Sequence, residues 1–166
     1  MAQEKKIRFG LNLLLYTAAF PKNTVELIPK VAELGYDGVE IPFTDLDAID
    51  PAATRSALEK AGIGATACAV LLPGANLISS EKAQRDAGVA RLKQCVDITA
   101  AIGGDVIGGP LYAPVGELTG TSRTADEWNR AKEGLHTAAE YARQADITLA
   151  IEPLNRFETY FLNTAA

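Results

Sequence analysis

Ile147-Thr148-Leu149-Ala150-Ile151-Glu152-Pro153-Leu154-Asn155-Arg156-Phe157-Glu158 is the stretch that decides how this chain folds. Its first four residues read as a buried strand, which puts Glu152 where that strand runs out. A carboxylate at the C-terminal end of an interior parallel strand is expensive to desolvate, and it usually has a metal, a proton or a cation to meet. Glu158 follows six residues later, and the sequence stops eight residues beyond it, at Ala166.

Working back from this stretch, strands and helices alternate strictly. Phe9-Gly10-Leu11-Asn12-Leu13-Leu14-Leu15-Tyr16 is a first apolar strand. Asn23 or Thr24 can cap a helix with apolar positions at Val25, Ile28, Val31 and Ala32, which Pro29 bends and Gly35 ends. Gly38-Val39-Glu40-Ile41-Pro42-Phe43 is the second strand. Asp50 caps the next helix with Pro51 at its first position, and Gly62 stops it. Ala65-Thr66-Ala67-Cys68-Ala69-Val70-Leu71-Leu72 is the third strand, and Ser79 or Ser80 caps a long helix reaching Ile102. Val106-Ile107-Gly108-Gly109 is the fourth strand. Thr124 and Glu127 have capping-box spacing and open a helix to about Gln144. The fifth strand covers residues 147–152, and residues 161–166 are expected to begin a fifth helix.

Five strands alternating with four complete helices predict a parallel α/β sheet with both faces covered. A doubly wound sheet and part of a (β/α)₈ barrel compete for this pattern. Residues 16–21, after the first strand, lack G-x-G-x-x-G, and no phosphate-binding G-x-x-x-x-G-K-[ST] occurs anywhere. Long loops follow strands one, three and four, at the ends where barrel enzymes build active sites.

Size and composition bound the function. A chain of 166 residues makes one domain. Its net charge of -5 argues against nucleic acid, and no run of like charge or apolar span suggests a membrane. Cys68 and Cys95 have no short metal or redox spacing and read as two reduced, buried thiols, in keeping with a cytoplasmic protein.

Glu152 is the strongest site candidate, against a structural ion pair to Arg156. Glu40 points into a barrel mouth or sits in a solvated loop. Glu158 serves the site or pairs at a helix start. Asn155 and Arg156 offer donors to these carboxylates or to a sugar hydroxyl. Gly108 and Gly109 allow close approach of a ligand, or simply a tight strand exit. Tyr16, Phe43 and Tyr112 wall a pocket or pack in the core. His136 and Trp128, on the fourth helix, read as structural. No Ser-His-Asp arrangement appears, so paired carboxylates fit divalent-metal chemistry better than nucleophilic catalysis.

The segment from Ile151 to Glu158, with Leu162-Asn163-Thr164-Ala165-Ala166, resembles the E-x-x-N-R-F-E…L-N-T-A-A segment of ketose 3-epimerases of the D-tagatose and D-psicose type, within the xylose-isomerase-like sugar isomerase and epimerase barrels. Glu33-Leu34-Gly35-Tyr36-Asp37-Gly38-Val39-Glu40, Ile78-Ser79-Ser80-Glu81-Lys82 and Ile107-Gly108-Gly109 match in the same order. The resemblance implies a (β/α)₈ barrel with its first five strands and four helices present, a single partial domain over residues 1–166 that stops in the helix after strand five. It implies metal-dependent epimerisation of free ketoses at C3 through a cis-enediolate. Glu152 would be both metal ligand and catalytic acid/base, for Mn²⁺ with Mg²⁺ or Co²⁺ as alternatives, and Glu158 and Glu40 would bind substrate; Gly109, Tyr112 and Asn155 join them as substrate-binding candidates from their places at strand ends and in the loop after strand five.

The same comparison places an Asp, a His and a Glu ligand, with the second acid/base Glu, on strands after the fifth. The 166 residues alone are therefore expected to be inactive and to associate with further copies. Leu13-Leu14-Leu15 stands where relatives carry aromatics, and Pro114 where some carry Trp. The alternatives are another isomerase of the superfamily (hydroxypyruvate isomerase-like or inosose dehydratase-like) or a non-catalytic half-barrel.

Overall fold

The computed structural model describes residues 7–17 and 25–165. The expected caps Asn23 and Thr24, and the terminal Ala166, lie outside them. Five strands, β1 (Gly10–Asn12), β2 (Gly38–Phe43), β3 (Gly64–Ala69), β4 (Val106–Gly109) and β5 (Thr148–Ile151), form one all-parallel sheet. Its spatial order is the sequence order, β1-β2-β3-β4-β5. A doubly wound sheet reverses direction at a switch point; this one never does, so it curls as part of a barrel.

Four helices follow the strands: α1 (Leu27–Glu33), α2 (Pro51–Ala61), α3 (Lys82–Ile102) and α4 (Ala125–Arg143). Each packs on the next, in one layer over one face of the sheet. Val39, Ile41, Phe43, Ala65, Ala67, Ala69 and Ile107 point into that layer and are buried with Ile28, Val31, Leu58, Leu92, Val96 and Ala138. The alternate strand positions, Asn12, Glu40, Thr66, Cys68 and Gly108, point to the concave face and are only half-buried. Coverage of both sheet faces, expected from the apolar strands, is therefore not observed.

Local signals set most element ends. The Asp50 carboxylate accepts the Ala53 N–H at 3.0 Å, with Pro51 at the first helical position. Gly62 ends α2 in the left-handed region, and Gly103 ends α3 in the same way. The α3 start differs from expectation. Its N-cap is Glu81, because the Ser79 hydroxyl accepts the Glu81 N–H and Arg85 holds the Ser79 and Ser80 carbonyls outside the helix.

The first strand is also shorter than expected. The Asn12 side-chain oxygen accepts the Leu14 N–H at 2.8 Å, turning Leu13–Leu15 into a single 3-10 turn. Leu13 is buried, whereas Leu15 and Tyr16 are exposed. β3 likewise ends at Ala69, after which Leu71 makes only an isolated bridge to Pro114.

α4 opens on a complete capping box. Thr124 N–H and hydroxyl donate to Glu127 Oε2, and Glu127 N–H donates to the Thr124 oxygen. The Tyr160 hydroxyl donates to Glu127 Oε1 at 2.7 Å, tying the C-terminal loop to this helix start. Burial works to raise the Glu127 pKa, but the Thr124 and Tyr160 hydrogen bonds and nearby Arg130 outweigh it and hold the carboxyl below its ordinary value. A carboxyl lowered on folding stabilises the fold above its unfolded pKa, and that contribution fades as pH falls through the folded one. Thr124→Ala is expected to destabilise the protein by about 1 kcal/mol at neutral pH. In urea titrations the difference between wild type and variant should narrow on acidification; a constant gap would contradict the coupling to Glu127.

No fifth helix begins among residues 161–165. Phe161 instead packs on Tyr112 (ring centroids 5.2 Å) and Trp128 (6.0 Å), while Arg123 lies over Trp128 and donates to the Phe161 carbonyl at 2.9 Å. The loop folds back on itself as well: Leu154 N–H donates to the Leu162 carbonyl, and the Asn163 side chain donates to the Leu154 and Thr159 carbonyls. These contacts hold the backbone away from helical geometry.

Among the described residues β1 pairs only with β2, and β5 only with β4. Both edges present unpaired backbone groups, and Phe9, Leu15 and Tyr16 stand exposed beside β1. Such edges are templates for further pairing. The 166-residue polypeptide, purified alone, is expected to self-associate; light scattering that gives a clean monomer mass at high concentration would contradict this.

Candidate active site

The C-terminal ends of the strands surround a cleft of about 650 Å³. Asn12, Glu40, Cys68, Gly108 and Gly109, Glu152 and Glu158 line it, with no Lys, Arg or His among the described residues of its walls. A smaller cleft opens at the opposite ends of the strands, around Arg8, Asp37 and Gly64. Parallel barrels carry chemistry at the C-terminal face, where the carboxylates of this chain converge.

Glu152 follows β5, and its N–H donates to the Gly109 carbonyl at 2.9 Å. The buried, desolvated carboxylate expected at this position is not what the structure shows. Glu152 is exposed, as are Thr148 and Ala150 on the same face of β5, because among the described residues β5 is an edge and nothing covers its concave side. Its carboxylate makes no hydrogen bond or ion pair among the described residues, so the alternative pairing to Arg156 does not form.

Glu40, half-buried on β2, lies beside its register partner Asn12 on β1. Asn12 Nδ2 donates to Glu40 Oε2 at 2.5 Å. The other carboxylate oxygen, Oε1, reaches over β4, 3.8 Å from where a Cβ on Gly108 would stand. Glu40 is therefore in the mouth rather than in a solvated loop. Glu158 is half-buried on the loop after β5, where Asn155 Nδ2 donates to its Oε2. Asn155 Oδ1 in turn accepts the Phe157 N–H at 2.8 Å.

Two expected site residues, Tyr112 and Asn155, stand behind the cleft walls, and a third, Gly109, is on them. Tyr112 is buried in a second apolar cluster with Ile78, Ala131 and Phe161. Its hydroxyl donates to the Glu152 and Leu162 carbonyls, so it anchors the backbone behind the mouth instead of lining it. Burial raises its pKa, so it stays a neutral donor. Asn155 is not a cleft wall but a support for Glu158. Gly109 does border the cleft, yet its glycine identity answers to β3: an added Cβ would stand 2.1 Å from the Ala69 carbonyl oxygen. Phe43 is core, and Tyr16 lies exposed beside α1, away from the mouth.

Two residues of the mouth escape the sequence reading. Cys68 is expected in the core, but the alternation of β3 puts it with Thr66 on the face opposite Ala65, Ala67 and Ala69. Burial, then the charges of Glu40 and Glu152, push its pKa up to about 11, so it is a protonated thiol at neutral pH and no nucleophile. Cys95 is buried in α3 as expected. Asn12 reads as part of an apolar strand; its polar side chain among leucines is the signal that could have found it.

Divalent metals require several oxygen or nitrogen ligands. Glu152 offers one unpartnered carboxylate of the right chemistry, but no group of three His, Cys, Asp or Glu side chains forms a ligand set among the described residues. These residues do not by themselves fit a metal centre, and the chemistry assigned to them below runs through carboxylates and protons.

A sequentially ordered parallel sheet, helices on its convex side and carboxylates at its C-terminal mouth together define part of a (β/α) barrel. The chain belongs to the xylose isomerase-like TIM barrel family, whose pattern matches residues 28–166. It is 34% identical over 161 residues to an L-ribulose 3-epimerase of Mesorhizobium japonicum, covering 96% of this chain and 54% of that protein. It is 34% identical over 144 residues to a D-psicose 3-epimerase of Agrobacterium fabrum, covering 84% of this chain and 50% of that one. The structure of a Methylomonas sp. D-allulose 3-epimerase in complex with D-allulose superposes with a TM-score of 0.90 at 26% identity, over 99% of this chain and 57% of that one. The chain thus spans about half the length of the ketose 3-epimerases it matches. No helix of the described residues is long and apolar enough to cross a membrane.

Proposed function

We propose that the protein carrying this chain epimerises free ketoses at C3. The observation that carries this reading is the mouth itself, where Glu40, Glu152 and Glu158 converge and no cationic side chain joins them among the described residues. Such a site repels a sugar phosphate and suits a neutral polyol, whose hydroxyls donate to carboxylates. The names of the relatives agree with this reading.

In this scheme the Glu152 carboxylate takes the C3 proton, and the electron pair left behind forms the C2–C3 enediolate. A second acid returns a proton to the opposite face and inverts the carbon. The unpartnered Glu152 side chain is free to hold that proton, while Glu40 and Glu158 orient the hydroxyls. The two unpaired thiols suit a reducing, cytoplasmic compartment.

The test is proton exchange at C3. Full-length protein incubated with D-fructose, D-tagatose or L-ribulose in heavy water should yield the C3 epimer carrying deuterium at that carbon. Absence of both exchange and epimer with every ketose would overturn the reading.

A further inference from the structure

The mouth uses one small device twice. Asn12 Oδ1 accepts the N–H of Leu14, and Asn155 Oδ1 accepts the N–H of Phe157, each two residues onward at 2.8 Å. A backbone N–H can only donate, so each amide is held with its oxygen toward the main chain. The NH₂ end must then face the other way, and in both cases it meets a carboxylate lining the cleft: Asn12 meets Glu40 Oε2, and Asn155 meets Glu158 Oε2. An NH₂ group has only protons to give, so each carboxylate has one oxygen engaged and one left over. For Glu40 the remaining oxygen is Oε1, over Gly108, a position without a side chain.

We propose that Asn12 and Asn155 are positioning residues that turn Glu40 and Glu158 so that one oxygen of each is presented as an acceptor to hydroxyls of the ketose. This deepens the proposed function and rests on it. Both pairs are built from local turns, so the orientation is set before substrate arrives. Preorganisation of this kind lowers the ordering needed on binding. The two acceptors stand toward opposite edges of the sheet, on β2 and on the loop after β5, and Glu152 belongs to the same mouth. The arrangement reads the hydroxyl pattern along the chain of the sugar, and the carboxylate that moves the proton is left without an amide clamp.

The polarity of each pair supplies the experiment, in the full-length protein that carries this chain. Asn12→Asp keeps the oxygen that accepts the Leu14 N–H and so keeps the turn, but replaces the donor to Glu40 with a second acceptor. KM for the preferred ketose should rise about tenfold or more, the size of a lost charge-assisted hydrogen bond, with a smaller change in kcat. Glu40→Gln alone should also raise KM, because its NH₂ turns toward the substrate when its oxygen meets Asn12. The pair N12D/E40Q reverses the bond: the glutamine NH₂ donates to the carboxylate introduced at position 12, and its oxygen faces the ketose again. This double variant should recover most of the loss, which a merely structural role for Asn12 would not produce. N155D/E158Q should behave in the same way.

Unchanged KM in N12D and N155D, or double variants no better than the singles, would overturn the proposal while wild-type activity upheld the function. If the wild type epimerises no ketose, the function reading fails instead. The asparagine proposal is then decided by the Asn12 and Asn155 side-chain amide signals in NMR during titration with D-fructose: movement of both supports it, and unmoved signals overturn it.

Discussion

Glutamine in place of Glu152 is expected to lower ketose turnover by about 10²–10⁴-fold in the full-length protein, the usual contribution of a positioned acid/base group. Glutamine has the same size but cannot accept a proton. In the 166-residue chain the stability change should be small, within about 0.5 kcal/mol, as for a surface substitution that breaks no specific contact. There the Glu152 side chain is exposed and makes no hydrogen bond or ion pair among the described residues, so nothing in the described fold depends on its charge. Activity loss at constant melting temperature separates a chemical role from a structural one. A variant that keeps activity within a few fold would place the proton transfer elsewhere.

The second large effect concerns stability. Gly109→Ala is expected to destabilise the protein by roughly 3 kcal/mol or more, combining strain at positive φ with overpacking. Gly109 has a φ of +133°, and its missing Cβ would stand 2.1 Å from the Ala69 carbonyl oxygen and 3.3 Å from the Ala69 nitrogen. These are backbone atoms of the neighbouring strand, which can yield only by breaking the β3–β4 contact. Gly108→Ala is the natural control. Its Cβ would meet Glu40 Oε1 at 3.8 Å and the Ala67 carbonyl at 3.9 Å, ordinary contact distances. Urea unfolding should show a sharp loss for position 109 and little change for 108; equal effects would refute the assignment. Adjacent glycines thus answer to different neighbours, one to the strand beside it and one to the open cleft.

Much of this was legible because the signals were local. Asp50 before Pro51, Gly62 after Ala61, and Thr124 three residues before Glu127 each define a helix end by hydrogen bonds within a few residues, and each stands where sequence puts it. The carboxylates Glu40, Glu152 and Glu158 were also legible, since strand ends and loops in a parallel barrel pattern point to one mouth. Tyr112 was not. Its place depends on Phe161, which is distant in sequence and becomes a neighbour only when the last loop folds over α4. That same packing keeps residues 161–165, where a helix is expected to begin, out of helical geometry.

The sequence by itself determined the alternation of strand and helix, and with it a parallel sheet whose polar positions gather at one end, because periodicity and capping act over a few residues. Only the tertiary structure decided that Cys68 faces the mouth rather than the core, and that Asn12 and Asn155 each hold a carboxylate. Register between strands and the fold of the last loop bring those groups together, and both arise from contacts between residues far apart in the chain. The exposure of Glu152 is a property of the described residues, among which β5 has one neighbouring strand and an open concave side.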